Sequence, residues 1–79
     1  MAKKNQKAPK NIQINENVNF TYWNQNEWEF TIDPRNIDEE KADRYQALAA
    51  MLTMELCNRG VPASRLGSFI EMSKQIFTL

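Results

Sequence analysis

Residues 45–57 read Tyr-Gln-Ala-Leu-Ala-Ala-Met-Leu-Thr-Met-Glu-Leu-Cys, and only Gln46, Thr53 and Glu55 interrupt the apolar and alanine positions. A surface helix of a small domain needs one apolar stripe. Here apolar side chains run almost all the way round the helix axis. A chain of 79 residues has little material to cover such a helix on every side. The segment therefore predicts a second covering surface, either another copy of the chain or a partner protein.

Size sharpens that expectation. A domain this short buries only about 60% of the surface its unfolded chain exposes. Below roughly 70–80 residues a single core seldom supplies more than about 3–5 kcal/mol. Disulfides, metals or oligomerisation commonly add to it. Cys57 is the one cysteine and histidine is absent. An intrachain disulfide is excluded, and a zinc site of the usual ligand types cannot form within one chain. Oligomerisation or partner binding is the remaining route, beside a monomer with an ordinary small core. No cofactor and no small-molecule substrate are expected.

The lone thiol suits a reducing cytoplasm. The N-terminal lysines are not followed by an apolar run, so no secretory leader is expected. The apolar stretch, 13 residues long, falls short of the roughly 20 residues that span a bilayer. The expected localisation is cytoplasmic, with no membrane partner.

Net charge is zero, but Lys3, Lys4, Lys7 and Lys10 make the first ten residues basic. Glu16, Glu27, Glu29, Asp33, Asp38, Glu39, Glu40 and Asp43 then make the next part acidic. A body of this kind is a poor general polyanion binder. Residues 1–11 are polar and basic and are read as a disordered tail. Residues 12–79 are read as a single small domain.

Within that domain, Val18, Phe20 and Tyr22 alternate with Asn19 and Thr21, and Trp28, Phe30 and Ile32 alternate with Glu27, Glu29 and Thr31. Strict alternation marks half-buried strands. Residues 23–27 are the connecting loop, where asparagine tolerates positive φ. The apolar face offers an aromatic layer to a helix, and Asn19, Thr21, Glu27 and Glu29 face water. Ile12 and Ile14, flanking Gln13, add a short third strand.

Pro34 biases Asp33 away from helix. Asn36 then stands as an N-cap with Glu39 three residues on, at capping-box spacing. The helix runs to about Asn58, with Gly60 as its left-handed terminator. Beyond Pro62, residues Leu66, Phe69, Ile70, Ser73, Ile76 and Phe77 fall at three- and four-residue spacing, which predicts a second amphipathic helix. Ser68 and Glu71 stand at capping-box spacing, so its regular part is expected from there, after a leading turn. The apolar end, Phe77 and Leu79, is expected to dock. The fold class is α+β in ββαα order: a β-hairpin or three-stranded meander packed on a C-terminal helical hairpin. Tyr45, Leu48, Ala49, Leu52 and Leu56 are the inner stripe of the long helix. Ala47, Met51 and Met54 lie on a second side and are the candidate interface.

Few residues offer chemistry. Cys57 sits near a helix C-terminus, where the dipole disfavours the thiolate, and is read as a small buried hydrophobe. Glu27 and Glu29 share a solvated strand face. Beside an exposed Trp23 they form a second candidate contact surface. Asp38, Glu39, Glu40 and Asp43 are spread around a helix axis and lack the loop carbonyls a hard cation needs. No glycine-rich phosphate loop is present. The protein is not expected to be an enzyme.

The expected function is a non-catalytic protein–protein interaction module, a homodimeric inhibitor or adaptor of a larger protein. Small size without site residues also suits accessory proteins of phages and mobile elements. The alternative is a helix-turn-helix regulator in which Ser64, Arg65, Ser68 and Lys74 meet DNA. Against it, the usual motif wants a small residue about four positions before the turn glycine, where Leu56 stands, and an apolar residue one earlier, where Glu55 stands.

Overall fold

The computed structural model describes residues 8–78. Three antiparallel strands, β1 (Lys10–Gln13), β2 (Val18–Asn24) and β3 (Glu27–Ile32), form one sheet in the order β1-β2-β3. Two helices follow, α1 (Glu39–Cys57) and α2 (Leu66–Ile76). The fold is α+β, a meander backed by a helical hairpin. β1 begins at Lys10, so Lys10 and Asn11 are strand residues and not part of a disordered tail. Backbone pairing with β2 draws them in, Lys10 opposite Tyr22 and Asn11 opposite Thr21. The rest of the basic tail, residues 1–7, lies outside the described residues.

The register explains the core. Ile12 pairs with Phe20, which pairs with Phe30, while Val18 faces Ile32 and Tyr22 faces Trp28. Successive side chains of a strand alternate between faces, so these residues form one apolar layer. Val18 and Phe20 are fully buried there. Phe69 of α2 lies 5.2 Å from Phe20 and 6.1 Å from Phe30, centroid to centroid, and Phe77 lies 5.5 Å from both Phe30 and Tyr45. Offset and tilted rings at such spacings are favourable beyond their area burial. The opposite face carries Asn19, Glu29 and Thr31. Thr21 on that face is buried, contrary to the solvated position its alternation implies. It sits on the central strand between two neighbours and donates its hydroxyl to Asn11 Oδ1 at 3.0 Å.

The β2–β3 loop takes a different route from the one expected. No described non-glycine residue has positive φ. The chain instead absorbs one extra residue at a bulge between Tyr22 and Asn24. The Asn24 side chain closes the turn by accepting from the Asn26 N–H at 2.8 Å and donating to Glu27 Oε1 at 2.6 Å. An Asn side chain that bonds its own backbone two residues on mimics a turn without left-handed geometry. Asn15 does the same between β1 and β2, where Oδ1 accepts from the amides of Asn17 and Val18.

The helix starts are also shifted. Pro34–Asn36 is a separate 3-10 turn capped by Asp33. Ile37 returns to extended backbone, and Asp38 rather than Asn36 caps α1, accepting from the Lys41 N–H at 2.7 Å. Ile37 packs against the core, and that contact ends the first turn before a continuous helix can form. Ala63–Arg65 is a 3-10 turn leading into α2, whose regular helix starts at Leu66, two residues before the expected Ser68. Arg65 is its cap and makes no side-chain capping bond.

Between the helices, Gly60 has φ 72°, in the left-handed region that glycine alone occupies at little cost. Its N–H and that of Arg59 both donate to the Leu56 carbonyl, at 2.7 and 3.1 Å. A β-carbon on Gly60 would stand 2.7 Å from the Gln25 carbonyl oxygen. The strand hairpin therefore docks on the helix turn through backbone. The Val61 N–H donates to the Gln25 carbonyl at 2.7 Å, and the Tyr22 hydroxyl donates to the Val61 carbonyl at 2.7 Å.

Candidate functional site: the outer face of the long helix and the groove at its end

α1 buries Tyr45, Ala49 and Leu52 and half-buries Leu48 and Leu56. These positions are three to four residues apart, so one stripe meets the sheet and α2. The opposite side is open. Met51 is 56% exposed and Met54 76% exposed, and Ala47 and Ala50 are exposed beside them. Positions 47, 50, 51 and 54 share a helix face through their i, i+3, i+4 and i+7 spacing. The two methionines are large apolar side chains that the described fold does not cover. Methionine is unbranched and polarizable and adapts to irregular surfaces.

Cys57 is exposed rather than buried. It lies five residues after Leu52, about 140° round the helix from it at 3.6 residues per turn, and so falls off the inner stripe. Trp23 is half-buried rather than exposed, because the bulge lifts it out of the regular strand alternation. Glu27 is half-buried and bonded to Asn24, and Glu29 is exposed. The structure thus divides the predicted surface: Ala47, Met51 and Met54 stand together on α1, while Trp23, Glu27 and Glu29 stand on the hairpin.

At the C-terminal end of α1 lies an open groove of about 420 Å³. Leu56, Val61, Pro62, Phe69 and Met72 supply its apolar walls, and Arg59, Arg65 and Ser68 its polar ones. Met72 is 43% exposed. The sequence reading places Arg65 and Ser68 on a DNA-facing surface and does not anticipate this groove. One signal was present: residues 56, 59, 62, 65, 68 and 72 recur at three- and four-residue steps straight across the turn. Ser64 and Lys74 are exposed but do not line the groove.

The Arg35 guanidinium beside Asp33, at 3.1 Å, holds that carboxyl below its ordinary value through hydrogen bonds to the charged form. Both residues belong to the exposed 3-10 turn. Arg59 pairs with Glu55 at 3.9 Å, with both side chains mostly exposed, which makes a weak contact. Among the described residues no group of three or more metal-ligating side chains converges, and no helix is long and apolar enough to cross a membrane. Comparison with known protein families, curated proteins and solved structures finds no match.

Proposed function

We propose that this protein is a non-catalytic interaction module that self-associates through the outer face of α1 and acts in the cytoplasm as a small inhibitor or adaptor of a larger protein. The observation that carries the reading is the exposure of Met51 and Met54, 56% and 76%, on a helix whose inner stripe already serves the core. Isologous interfaces place the same patch on both copies. In an antiparallel pair of α1 helices centred near Met51, the small Ala47 of one copy would stand opposite the large Met54 of the other. Bulk against small lets two helices approach closely and interdigitate.

The test is Met51→Glu and Met54→Glu, singly and together. Both positions are exposed, so the variants are expected to keep the thermal stability and far-UV spectrum of the parent monomer. Self-association followed by size-exclusion chromatography is expected to fall with each single change and vanish with both. Unchanged assembly in the double variant would remove the assignment.

A helix-turn-helix reading keeps one supporting observation: Ser64, Arg65 and Ser68 are exposed at the start of α2. It requires DNA affinity that falls steeply with salt and depends on Arg65. No DNA retention at low salt would end it.

A further inference from the structure

The groove at the α1–α2 turn is separate from the methionine face, and its chemistry is more specific. Its walls are mostly apolar, from Leu56, Val61, Pro62, Phe69 and Met72. Its volume of about 420 Å³ lies within the roughly 300–1,000 Å³ of ordinary ligand sites. The backbone polar groups around it are largely spent. The Gly60 and Arg59 amides bond the Leu56 carbonyl, the Val61 amide bonds Gln25, and the Val61 carbonyl takes the Tyr22 hydroxyl. Polar recognition in the groove therefore falls to side chains. Two of the three polar walls are arginines and no carboxylate lines it. No described residue forms an ion pair or side-chain hydrogen bond with the Arg65 guanidinium, and the Arg59 contact to Glu55 is long and exposed.

We propose that this groove binds a peptide segment that presents an apolar side chain next to carboxylates. The apolar side chain fills the floor between Leu56, Phe69 and Met72. The carboxylates meet Arg59 and Arg65, whose planar forks bind carboxylate oxygens in pairs. A nucleic acid fits less well, because phosphate recognition leaves the apolar floor empty. An alkyl-chain lipid fits less well, because an open groove leaves such a chain in contact with water. The site stands independently of the self-association reading, since it uses none of Ala47, Met51 or Met54.

The experiment is an NMR titration of the full chain with two blocked peptides, acetyl-Gly-Leu-Asp-Glu-Gly-amide and its Asn-Gln counterpart. The acidic peptide is expected to give saturable shifts at the Val61 and Ser68 amides and the Met72 methyl. The Asn-Gln peptide is expected to bind at least about tenfold more weakly, the size of one lost charge-assisted contact. Arg59→Gln with Arg65→Gln is expected to weaken the acidic peptide by at least the same factor. Both arginines are exposed, so an unchanged spectrum away from the groove verifies the variant's fold. Met51→Glu with Met54→Glu is expected to leave the titration unaltered, which separates this site from the α1 face. Absence of saturable shifts at the groove would overturn the proposal. So would equal binding of both peptides, or undiminished binding by the arginine variant. A short DNA duplex that saturates the same resonances more tightly at low salt would replace the peptide with nucleic acid and overturn it too.

Discussion

The two helices divide their work unequally. α2, with 11 residues, buries Leu66, Phe69, Ile70 and Ser73, and Phe77 just beyond it is almost wholly enclosed. α1, with 19 residues, buries only Tyr45, Ala49 and Leu52. The shorter helix is amphipathic and its apolar side chains are used up inside the fold, with Met72 the exception. The longer helix carries more apolar residues than the fold consumes. Hydrophobic surface beyond what a monomer can bury marks an interaction site. α2 is thus mainly a core element, while α1 serves the core with one stripe and leaves Met51 and Met54 exposed on its other side.

The largest test of this contrast is a pair of truncations. Phe69→Ala removes the ring that joins α2 to Phe20 and Phe30 and is expected to cost about 3–5 kcal/mol. That approaches the roughly 3–5 kcal/mol a core of this size supplies, so the variant should be largely unfolded by far-UV circular dichroism. Leu52→Ala on α1 is expected to cost about 2–3 kcal/mol, because its half-buried neighbours Leu48 and Leu56 can relax into the space. A denaturant midpoint lower for Leu52→Ala than for Phe69→Ala would break the comparison.

Next in size is the joint between the helices. Gly60→Ala forces a left-handed conformation on a residue with a β-carbon and drives that carbon into the Gln25 carbonyl. A loss of about 2–4 kcal/mol in urea unfolding is expected from strain and crowding together. An effect near zero would mean the hairpin does not dock on the turn.

Ser73 sharpens the picture of α2 as core. It is fully buried, and its hydroxyl has no hydrogen-bond partner among the described residues. An unsatisfied buried hydroxyl is destabilising. Ser73→Ala is expected to raise stability by about 1 kcal/mol, read as a higher thermal midpoint. A clear loss would show that the hydroxyl has a partner. On the outer side of α1, Met51→Glu and Met54→Glu should change monomer stability by less than about 0.5 kcal/mol, as exposed substitutions do.

Much of this architecture is legible in the residues, and the exceptions have physical causes. Alternation in β2 and β3 and the stripe of α2 place the core, because periods of two and 3.6 are direct consequences of backbone geometry. Gly60 is readable as a helix terminator because the left-handed position just past a helix favours glycine. The start of α1 is not. Asn36 and Asp38 are both good caps two residues apart, and the choice falls to Ile37, whose burial against the core keeps the intervening backbone extended. Cys57 misleads because small apolar residues are most often buried, yet its place on the helix wheel points outward. Trp23 turns on a bulge, which no local pattern announces. The groove depends on how two helices meet at a turn. Its residues recur at regular steps, but only the packing of Phe69 on the sheet decides which side of α2 they share.

The central claim, that the outer face of α1 is a self-complementary interface, is tested most directly by the mass of the wild-type protein in solution, measured by light scattering at two concentrations. A dimer mass is expected at the higher concentration, with any dissociation on dilution, and a monomer mass for the Met51→Glu, Met54→Glu double variant at both. A wild-type monomer mass at both concentrations would contradict it.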